Sequence, residues 1–335
     1  MELGVSLGLS PREDVDHLVA VLRSAEKLGV SVAWVIDSQL AMKDAYLTLA
    51  VLARETSVLR VGPGVTNVVT RHETVVANAM ATLASMAPGR VVVGLGAGDS
   101  AVFPIGGAPM TVDGCREGVE RLRALLGGGS VPGPAGDVRL SFSPAPAPPL
   151  YLAASQPRML RLAGEVADGV IVMGPSDPET VRVQLDHVKS GMQDAGRTDG
   201  SVVRDLWVTM AVGERDSATA DVRSWASAQA RWLTTWKEVP PGLQRYRDEM
   251  DRASRRYEFG SHLARGATHA VDVSDEFARA LAVAGTVEDC VRRVGELAAI
   301  GPDRITVTLL SGGRERRLRE TVEVFAGATT VDRAG

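Results

Sequence analysis

The sequence predicts an α/β protein, a (β/α)8 TIM barrel with a helical insertion between strands seven and eight. Three observations lead to this fold. Eight short apolar segments each precede a segment with helical periodicity. Most of these apolar segments end in glycine or polar residues, which is typical of strand-to-helix turns. About ninety residues separate the seventh segment from the eighth, far more than one crossover needs. An open doubly wound sheet is the alternative fold.

The first half of the chain contains four strand and helix pairs. Uninterrupted runs of Val, Leu and Ile predict strands buried on both faces, as in a parallel sheet. Apolar residues three and four apart, such as Val15, Leu18 and Leu22, predict the helices between them. The predicted strands are residues 3–9, 32–36, 59–62 and 91–95, and a helix at 112–126 follows the fourth.

The second half resumes this alternation after a long irregular connection. Residues 127–149 are dense in Gly and Pro, which predicts a loop. The next strands are predicted at residues 150–153, 169–173, 206–212 and 304–310, with helices at 157–167, 176–195, 286–300 and 314–325. Residues 217–277 are rich in Trp and charged residues and predict several helices. We expect one domain, residues 1–335, with this insertion inside it.

Three sequences predict helix starts that are closed by capping boxes. Each has Ser or Thr followed three residues later by Glu, which is the spacing of reciprocal side-chain and backbone hydrogen bonds. The three are Ser10 to Glu13, Thr70 to Glu73 and Ser176 to Glu179. In this interpretation His72 lies in the first turn of a helix and has a structural role.

Composition excludes several classes of function. The formal net charge is −4 with mixed signs, so nothing favours nucleic acid. The amino terminus shows no cationic stretch before an apolar core, and no apolar run reaches membrane length, so we expect a soluble cytoplasmic protein. Cys115 and Cys290 lie among apolar positions of predicted helices and are interpreted as buried hydrophobic residues. Neither the cysteines nor the five histidines have metal-ligand spacing.

Unusual residues follow four predicted strands. They are Asp37 with Ser38 and Gln39, the run from Gly62 to Asn67, Gly98 with Asp99, and Ser155 with Gln156. In a barrel these strand ends meet at one mouth, where such enzymes bind ligands. Each also has a plain interpretation, because Asp37 could be a helix N-cap, Asp99 a turn residue, and Thr66 and Asn67 loop-stabilising residues.

Several of these residues suggest specific chemistry. Asp37 and Asp99 could exchange protons as a carboxylate pair. Ser155 and Gln156 open a helix at Pro157, where backbone N–H groups could bind phosphate, and Gly174 after strand six could add another amide. Trp225, Trp232 and Trp236 recur at roughly helical spacing, which predicts core packing or, alternatively, a pocket wall.

The motifs at these strand ends resemble those of the luciferase-like flavin and deazaflavin oxidoreductases, closest to the methylenetetrahydromethanopterin reductase branch. GPGVTNVVTRH at residues 62–72 and GRVVVGLGAGD at residues 89–99 carry the resemblance, which spans residues 1–215 and 280–327. Segments 153–155, 162–169 and 284–286 support it.

The resemblance implies a (β/α)8 barrel that binds coenzyme F420, a deazaflavin, or alternatively FMN. It implies a non-proline cis peptide at Gly64–Val65 behind the tricyclic ring, with Thr66, Asn67 and Gly98 beside the ring. Phosphate would be held by Ser155, Gln156 and Gly174. Asp99 would supply a proton, and Asp37 or Gln39 would orient the substrate or cofactor edge.

The resemblance also implies an activity and its alternatives. Alcohol-oxidising deazaflavin members carry His in the loop after strand two, where this chain has Ser38 and Gln39. We therefore favour reduction of C=N or C=C in a small organic substrate. The alternatives are an FMN-dependent luciferase-like monooxygenase and a cofactor-free barrel that acts as a binding protein. The family also leads us to expect a homodimer.

Overall fold

The structure is a computed structural model that describes residues 1–258 and 268–331. It divides into two compact units. The first comprises Glu2–Val172 and His187–Asp205, and the second comprises Met173–Asp186 and the chain from Leu206 onward.

The first unit contains a parallel sheet. Its strands are β1 (Glu2–Leu7), β2 (Val32–Val35), β3 (Arg60–Pro63), β4 (Val93–Leu95), β7 (Leu150–Ala154) and β8 (Gly169–Val172), with a two-stranded antiparallel hairpin of β5 (Ser130–Val131) and β6 (Val138–Arg139) between β4 and β7. Strand β1 pairs with β2 and β2 with β3, with Gly4 opposite Val32 and Val32 opposite Arg60. Bridges Val61–Val91 and Thr66–Leu95 link the β3 and β4 regions. Strand β4 then pairs with β7 and β7 with β8.

Helices follow these strands. They are α1 (Val15–Lys27), α2 (Ala45–Glu55), α3 (Glu73–Met86), α4 (Val112–Leu126) and α5 (Pro157–Val166). Strands β2, β4 and β8 are buried at every residue, which explains why they are uninterrupted apolar runs in the sequence.

A contact between two rings shows that this sheet is strongly curved. Trp34 on β2 and Tyr151 on β7 pack edge to face with centroids 5.3 Å apart, although β3 and β4 lie between their strands. Trp34 Nε1 also donates to Asp205 Oδ2 at 3.1 Å. Both rings are buried, so they fill the concave side of the sheet.

The second unit contains the remaining strands and most of the remaining helices. These elements are α6 (Pro178–Asp194), β9 (Val203–Val212), α7 (Arg215–Leu233), α8 (Arg247–Arg256), α9 (Asp275–Leu281), β10 (Val283–Gly285), α10 (Val287–Ala298), β11 (Arg304–Thr308) and α11 (Arg314–Val331). Helix α6 and strand β9 each have residues in both units. Strand β10 pairs with β9 in parallel, with Val283 opposite Met210. All eight predicted strands are therefore present, as β1, β2, β3, β4, β7, β8, β9 and β11.

The predicted insertion at residues 217–277 is helical where it is described. It extends from within α7 to within α9 and includes α8 and the 3-10 helices Pro241–Tyr246 and Thr268–Asp272, while residues 259–267 lie outside the described residues. These helices enclose their own hydrophobic core, whose members include Leu233, Tyr246 and Phe277. Tyr246 and Phe277 stack with centroids 4.4 Å apart. None of the described helices combines the length and apolar character that crossing a bilayer requires.

The predicted helix starts need correction. Residues Ser10 to Glu13 form an isolated turn, and α1 begins later, at Val15, because the Asp14 side chain caps its first turn. The N-cap of α3 is His72, whose Nδ1 accepts from Thr74 N at 3.3 Å.

The other two predicted capping residues also have different partners. Thr70 bonds to Asn67 instead of capping α3. At α6 the Asp177 carboxylate, one residue after Ser176, accepts from Thr180 N at 2.9 Å. In each case a neighbouring side chain is the better-placed acceptor, so the predicted starts err by one to a few residues.

Candidate functional site

A buried carboxylate follows β2 in the first unit. Asp37 is 4% exposed. Its Oδ2 accepts from Thr66 Oγ1 at 3.0 Å and from Arg71 Nη1 at 2.5 Å. Thr66 and Arg71 both lie in the loop between β3 and α3, so this one loop binds the carboxylate of the loop after β2 at two points.

Further contacts extend this group into a network. Tyr46, in the first turn of α2, has its hydroxyl 2.7 Å from Thr66 Oγ1. The Arg71 guanidinium lies over the Tyr46 ring, 4.3 Å from its centroid, and its Nη2 donates to Asp44 Oδ2 at 3.0 Å. We call these five residues, Asp37, Asp44, Tyr46, Thr66 and Arg71, the Asp37–Arg71 network.

Burial dominates the electrostatics of this network. Desolvation raises the pKa of Asp37, although the charge of Arg71 and the Thr66 hydrogen bond lower it. Desolvation likewise raises the pKa of Tyr46 to about 12. Tyr46 is therefore a neutral phenol at physiological pH, and its hydroxyl is positioned by Thr66 rather than poised to lose a proton.

The peptide bond between Gly64 and Val65 is cis, as the resemblance implied. The Val65 side chain packs on β4. A Cβ placed on Gly96 would lie 2.5 Å from Val65 Cγ2, and one on Gly94 would lie 2.6 Å from the Pro63 carbonyl oxygen.

The strand-end glycines therefore make room for protein atoms. At Gly98, which has φ +85°, an added Cβ would meet Val102 Cγ2 at 2.5 Å and Asn67 Cγ at 3.4 Å. At Gly94, Gly96 and Gly98 the atoms closest to such a Cβ are side chains and backbone of the same unit.

The side chain of Asn67 stabilises its own loop. Its Oδ1 accepts from Val69 N at 3.0 Å, from Thr70 N at 2.8 Å and from Thr70 Oγ1 at 3.1 Å. This is the loop-stabilising alternative that the sequence left open, and it commits the Asn67 carbonyl oxygen to the chain.

Two contacts join the loops after β2 and β4. The hydroxyls of Ser38 and Ser100 lie 2.6 Å apart, and Gln39 Nε2 donates to the Ala101 carbonyl oxygen at 2.7 Å. That bond fixes the orientation of the Gln39 amide. Gln39 Oε1 is buried and has no hydrogen-bond partner in the described part of the chain.

The two candidate acids differ in environment. Asp37 is buried and ion-paired, whereas Asp99 is exposed on the loop after β4. The Asp99 carbonyl oxygen accepts from Val102 N at 3.1 Å and from Phe103 N at 3.0 Å, which anchors the main chain beside this carboxylate. Of the two, Asp99 is the acid that solvent reaches.

The predicted phosphate residues lie in both units. In the first unit Gln156 is the N-cap of α5 without a side-chain capping bond, and Ser155 precedes it. In the second unit Gly174 is buried, and its carbonyl oxygen accepts from Gln229 Nε2 at 3.4 Å.

The sequence analysis missed Arg71 and Tyr46. Arg71 was assigned to a helix start within the TRH motif, where nothing local points to a partner 34 positions earlier. Tyr46 lies in the first turn of α2, two residues after the N-cap Asp44, so its position in the sequence indicates only a helix start. The TRH motif offered a signal for Arg71, because this residue directly follows Thr70, whose side chain bonds to Asn67 and closes the loop.

Two other features contribute nothing to this site. Within residues 1–258 and 268–331, no group of three or more His, Cys, Asp or Glu side chains is arranged to hold a metal ion. A cavity of about 230 Å³ lined by Arg123, Leu150 and Asp168 lies at the amino end of β7, the end opposite to the network.

Comparisons with known proteins identify relatives of this chain. The profile of the luciferase-like monooxygenase family matches residues 2–304. The 5,10-methylenetetrahydromethanopterin reductase of Methanolobus tindarius is 29% identical over 307 residues, covering 88% of this chain and 90% of that protein. An F420-dependent hydroxymycolic acid dehydrogenase of Mycobacterium tuberculosis is 30% identical over 241 residues, 66% of each chain.

A solved structure shares the fold. The coenzyme F420-dependent tetrahydromethanopterin reductase of Methanopyrus kandleri superposes with a TM-score of 0.78 at 23% identity, covering 96% of this chain and 98% of that one. The (β/α)8 barrel predicted from the sequence is thereby confirmed. The chain belongs to the luciferase-like monooxygenase family, and it is a (β/α)8-barrel enzyme.

Proposed function

We propose that this enzyme is an oxidoreductase that uses reduced coenzyme F420 to transfer hydride to a small organic substrate, with C=N or C=C as the favoured acceptor bond. The observation that carries the proposal is the sequence similarity of this chain to a methylenetetrahydromethanopterin reductase. The two are 29% identical over 88% of this chain. The F420-dependent relative from Mycobacterium tuberculosis supports the choice of coenzyme.

The residues after β2 fit such a coenzyme. Gln39 Oε1 is a buried acceptor without a partner, and its amide is held by the Ala101 carbonyl. A buried acceptor is costly unless a donor reaches it, and the pyrimidine edge of a deazaflavin carries an N–H donor. We assign Gln39 to that edge or to a donor on the substrate.

Other residues would complete the coenzyme site. Gly64, Val65, Thr66, Asn67 and Gly98 would border the ring, because they form the loop ends after β3 and β4. The first turn of α5, preceded by Ser155 and Gln156, would hold phosphate through its backbone N–H groups. The coenzyme would supply the hydride and both electrons.

The protein would position the substrate and handle the proton. The Asp37–Arg71 network fixes Thr66 and leaves Asp37 paired, which suits orientation better than proton exchange. Asp99 is the exposed acid beside the anchored loop, and we assign it as proton donor to the reduced substrate.

The loop after β2 favours reduction over alcohol oxidation. Ser38 and Gln39 occupy it and bond to Ser100 and Ala101. Neither side chain is a base at neutral pH, and the carboxylate of Asp37 in the same loop is buried and paired with Arg71, which disfavours it as the acceptor of an alcohol proton. The His72 side chain is 64% exposed and caps α3 instead.

The experiment is a titration of purified protein with F420 and with FMN, followed by turnover assays. We expect saturable F420 binding and, in Asp99→Asn, a fall in kcat of about 100-fold or more with unchanged F420 affinity. Asp113→Asn is the matched control, since Asp113 is an exposed acid in the first turn of α4. A kcat unchanged by Asp99→Asn would remove its proposed role.

The second candidate is an FMN-dependent monooxygenase, favoured by the family profile itself. Tight FMN binding without F420 affinity would support it and contradict the first proposal. Binding of neither cofactor would favour a cofactor-free barrel that acts as a binding protein. Membership in this family also supports a homodimer that is located in the cytoplasm. Sedimentation at micromolar concentration would test the dimer.

A further inference from the structure

Several buried polar atoms in the described part of the second unit have no hydrogen-bond partner, and two of them belong to Ser176 and Gln229. Ser176, in the turn between β8 and α6, is 1% exposed, and its Oγ makes no hydrogen bond to the described residues. Gln229, on α7, has a buried Oε1 that is also unpaired. Buried polar atoms of this kind are uncommon, because each unmade hydrogen bond is costly.

One hydrogen bond places the side-chain amide of Gln229 at the turn that contains Ser176. Gln229 Nε2 donates to the Gly174 carbonyl at 3.4 Å, which brings the amide to the turn that contains Ser176 two residues later. The Ser176 backbone is itself fixed, because its N–H donates to the Leu281 carbonyl at 3.1 Å and its carbonyl accepts from Arg293 Nη1 at 3.0 Å. At this turn, the Ser176 hydroxyl and the side-chain carbonyl of Gln229 therefore remain to bind something else.

Two tryptophans are neighbours of Gln229 along one face of α7. Trp225 and Trp232 lie four residues before and three residues after Gln229, so all three share one face of α7. Trp225 packs against a cluster that includes Ala211 at the carboxyl end of β9 and Leu310 just after β11. Carboxyl ends of barrel strands are where enzymes of this fold bind substrates.

The charges near the pair disfavour an anion. Gln229 Oε1 is an acceptor, and a Cβ on Gly242 would lie within 4.0 Å of carboxylate oxygens of Asp177 and Glu179. The cation beside Ser176, Arg293, already bonds to the Ser176 carbonyl and pairs with Glu296 at 3.1 Å. A ligand here must bring an N–H or O–H donor to Gln229.

We propose that Ser176 and Gln229 form a substrate subsite for a neutral amide or hydroxyl group on a planar organic molecule. The inference deepens the proposed function by naming a substrate class, and it rests on the enzyme acting on a small organic compound. The side-chain carbonyl oxygen of Gln229, Oε1, accepts a hydrogen bond from the substrate N–H or O–H. The Ser176 hydroxyl donates to or accepts from the same substrate group. The Trp225 and Trp232 indoles flank the planar part.

The probes are benzamide and N,N-dimethylbenzamide, which share ring and carbonyl but differ in N–H donors. We expect wild-type protein to bind benzamide about three- to tenfold more tightly, in an NMR titration, which corresponds to one neutral hydrogen bond. Gln229→Met and Ser176→Ala should each remove most of that preference. Ser227→Ala is the matched control, because the Ser227 hydroxyl on α7 is buried but already bonds to the Ser224 carbonyl.

Circular dichroism and thermal melting establish that each variant folds, and F420 titration separates this proposal from the proposed function. Unchanged F420 affinity in Gln229→Met supports a substrate subsite. A wild-type preference for benzamide without F420 binding supports the subsite and contradicts only the coenzyme. Equal affinity for the two amides, retained preference in Gln229→Met, or displacement of benzamide by inorganic phosphate would each overturn the subsite.

Discussion

The Asp37 carboxylate and the Arg71 guanidinium lie 2.5 Å apart, although 34 residues separate them in the chain. Asp37 follows β2, and Arg71 precedes α3. The pair therefore ties the loop after β2 to the loop that carries Thr66 and Asn67, and both loops contain residues of the proposed coenzyme site.

Removing Arg71 should destabilise the protein strongly. In Arg71→Met we expect the free energy of unfolding to fall by about 3 kcal/mol, because a buried carboxylate loses its cation. Urea denaturation measures this change. Arg23→Met is the control, since Arg23 pairs with Glu55 at an exposed position, and its cost should stay below about 1 kcal/mol. Equal effects in the two variants would show that the Asp37–Arg71 pair contributes little.

Alkaline pH should destabilise the protein through Tyr46. Its pKa is raised from 10.0 to about 12 in the folded state, so the unfolded chain loses this proton first. The contribution of the neutral Tyr46 hydroxyl to the free energy of unfolding is complete below pH 10. It is lost as the pH rises from about 10 to about 12, and the loss is at most about 2.7 kcal/mol. Denaturation at several pH values should show this loss, and Tyr46→Phe should reduce it. An unchanged pH dependence in Tyr46→Phe would contradict the raised pKa.

Adding one methyl group to Gly96 should disturb the loop after β3. In Gly96→Ala the new Cβ would lie 2.5 Å from Val65 Cγ2, so we expect a loss of about 1–3 kcal/mol and weaker F420 binding. Val65→Ala in the same chain should recover part of the stability. The control is Gly295→Ala, where a Cβ on α10 meets nothing within 4 Å and stability should stay equal or rise slightly. A stable Gly96→Ala variant would mean that Val65 moves without cost.

Both cysteines should be unreactive in the folded protein. Burial raises the pKa of Cys115 to about 11 and that of Cys290 to about 12, and both are 0% exposed. A thiol reagent at pH 8 should therefore modify neither until urea is added, since the thiolate is the reactive form. Modification in native buffer at a rate close to that of a free thiol would show that one of the helices α4 or α10 opens readily.

The sequence predicted the strands well because nearly all of their residues are buried and most are apolar. Strands β2 and β8 illustrate this, with every residue buried. Strand β10 was missed, because its three residues are too few to show a period. Helix starts were placed less well, because Asp14, His72 and Asp177 competed as caps with neighbouring Ser and Thr residues.

The site was predicted by position rather than by contact. Asp37, Gln39 and Thr66 lie at the strand ends where the alternating pattern placed them. The partner of Asp37 could not be predicted, because a salt bridge between loops depends on three-dimensional approach and leaves no local pattern. The loop-stabilising role of Asn67 is visible only in its hydrogen-bond geometry, and its place beside the ring stays a prediction.

The helices between β9 and β10 assemble around a core of their own, with Leu233, Tyr246 and Phe277 among its members. Because this segment has its own hydrophobic core, we expect substitutions of its outward-facing residues to leave the stability of the strands on either side of it unchanged. If the proposed subsite on α7 holds, natural variants or laboratory libraries built on α7 and α8 should alter substrate preference in a few mutational steps, while the proposed coenzyme site in the other unit stays intact.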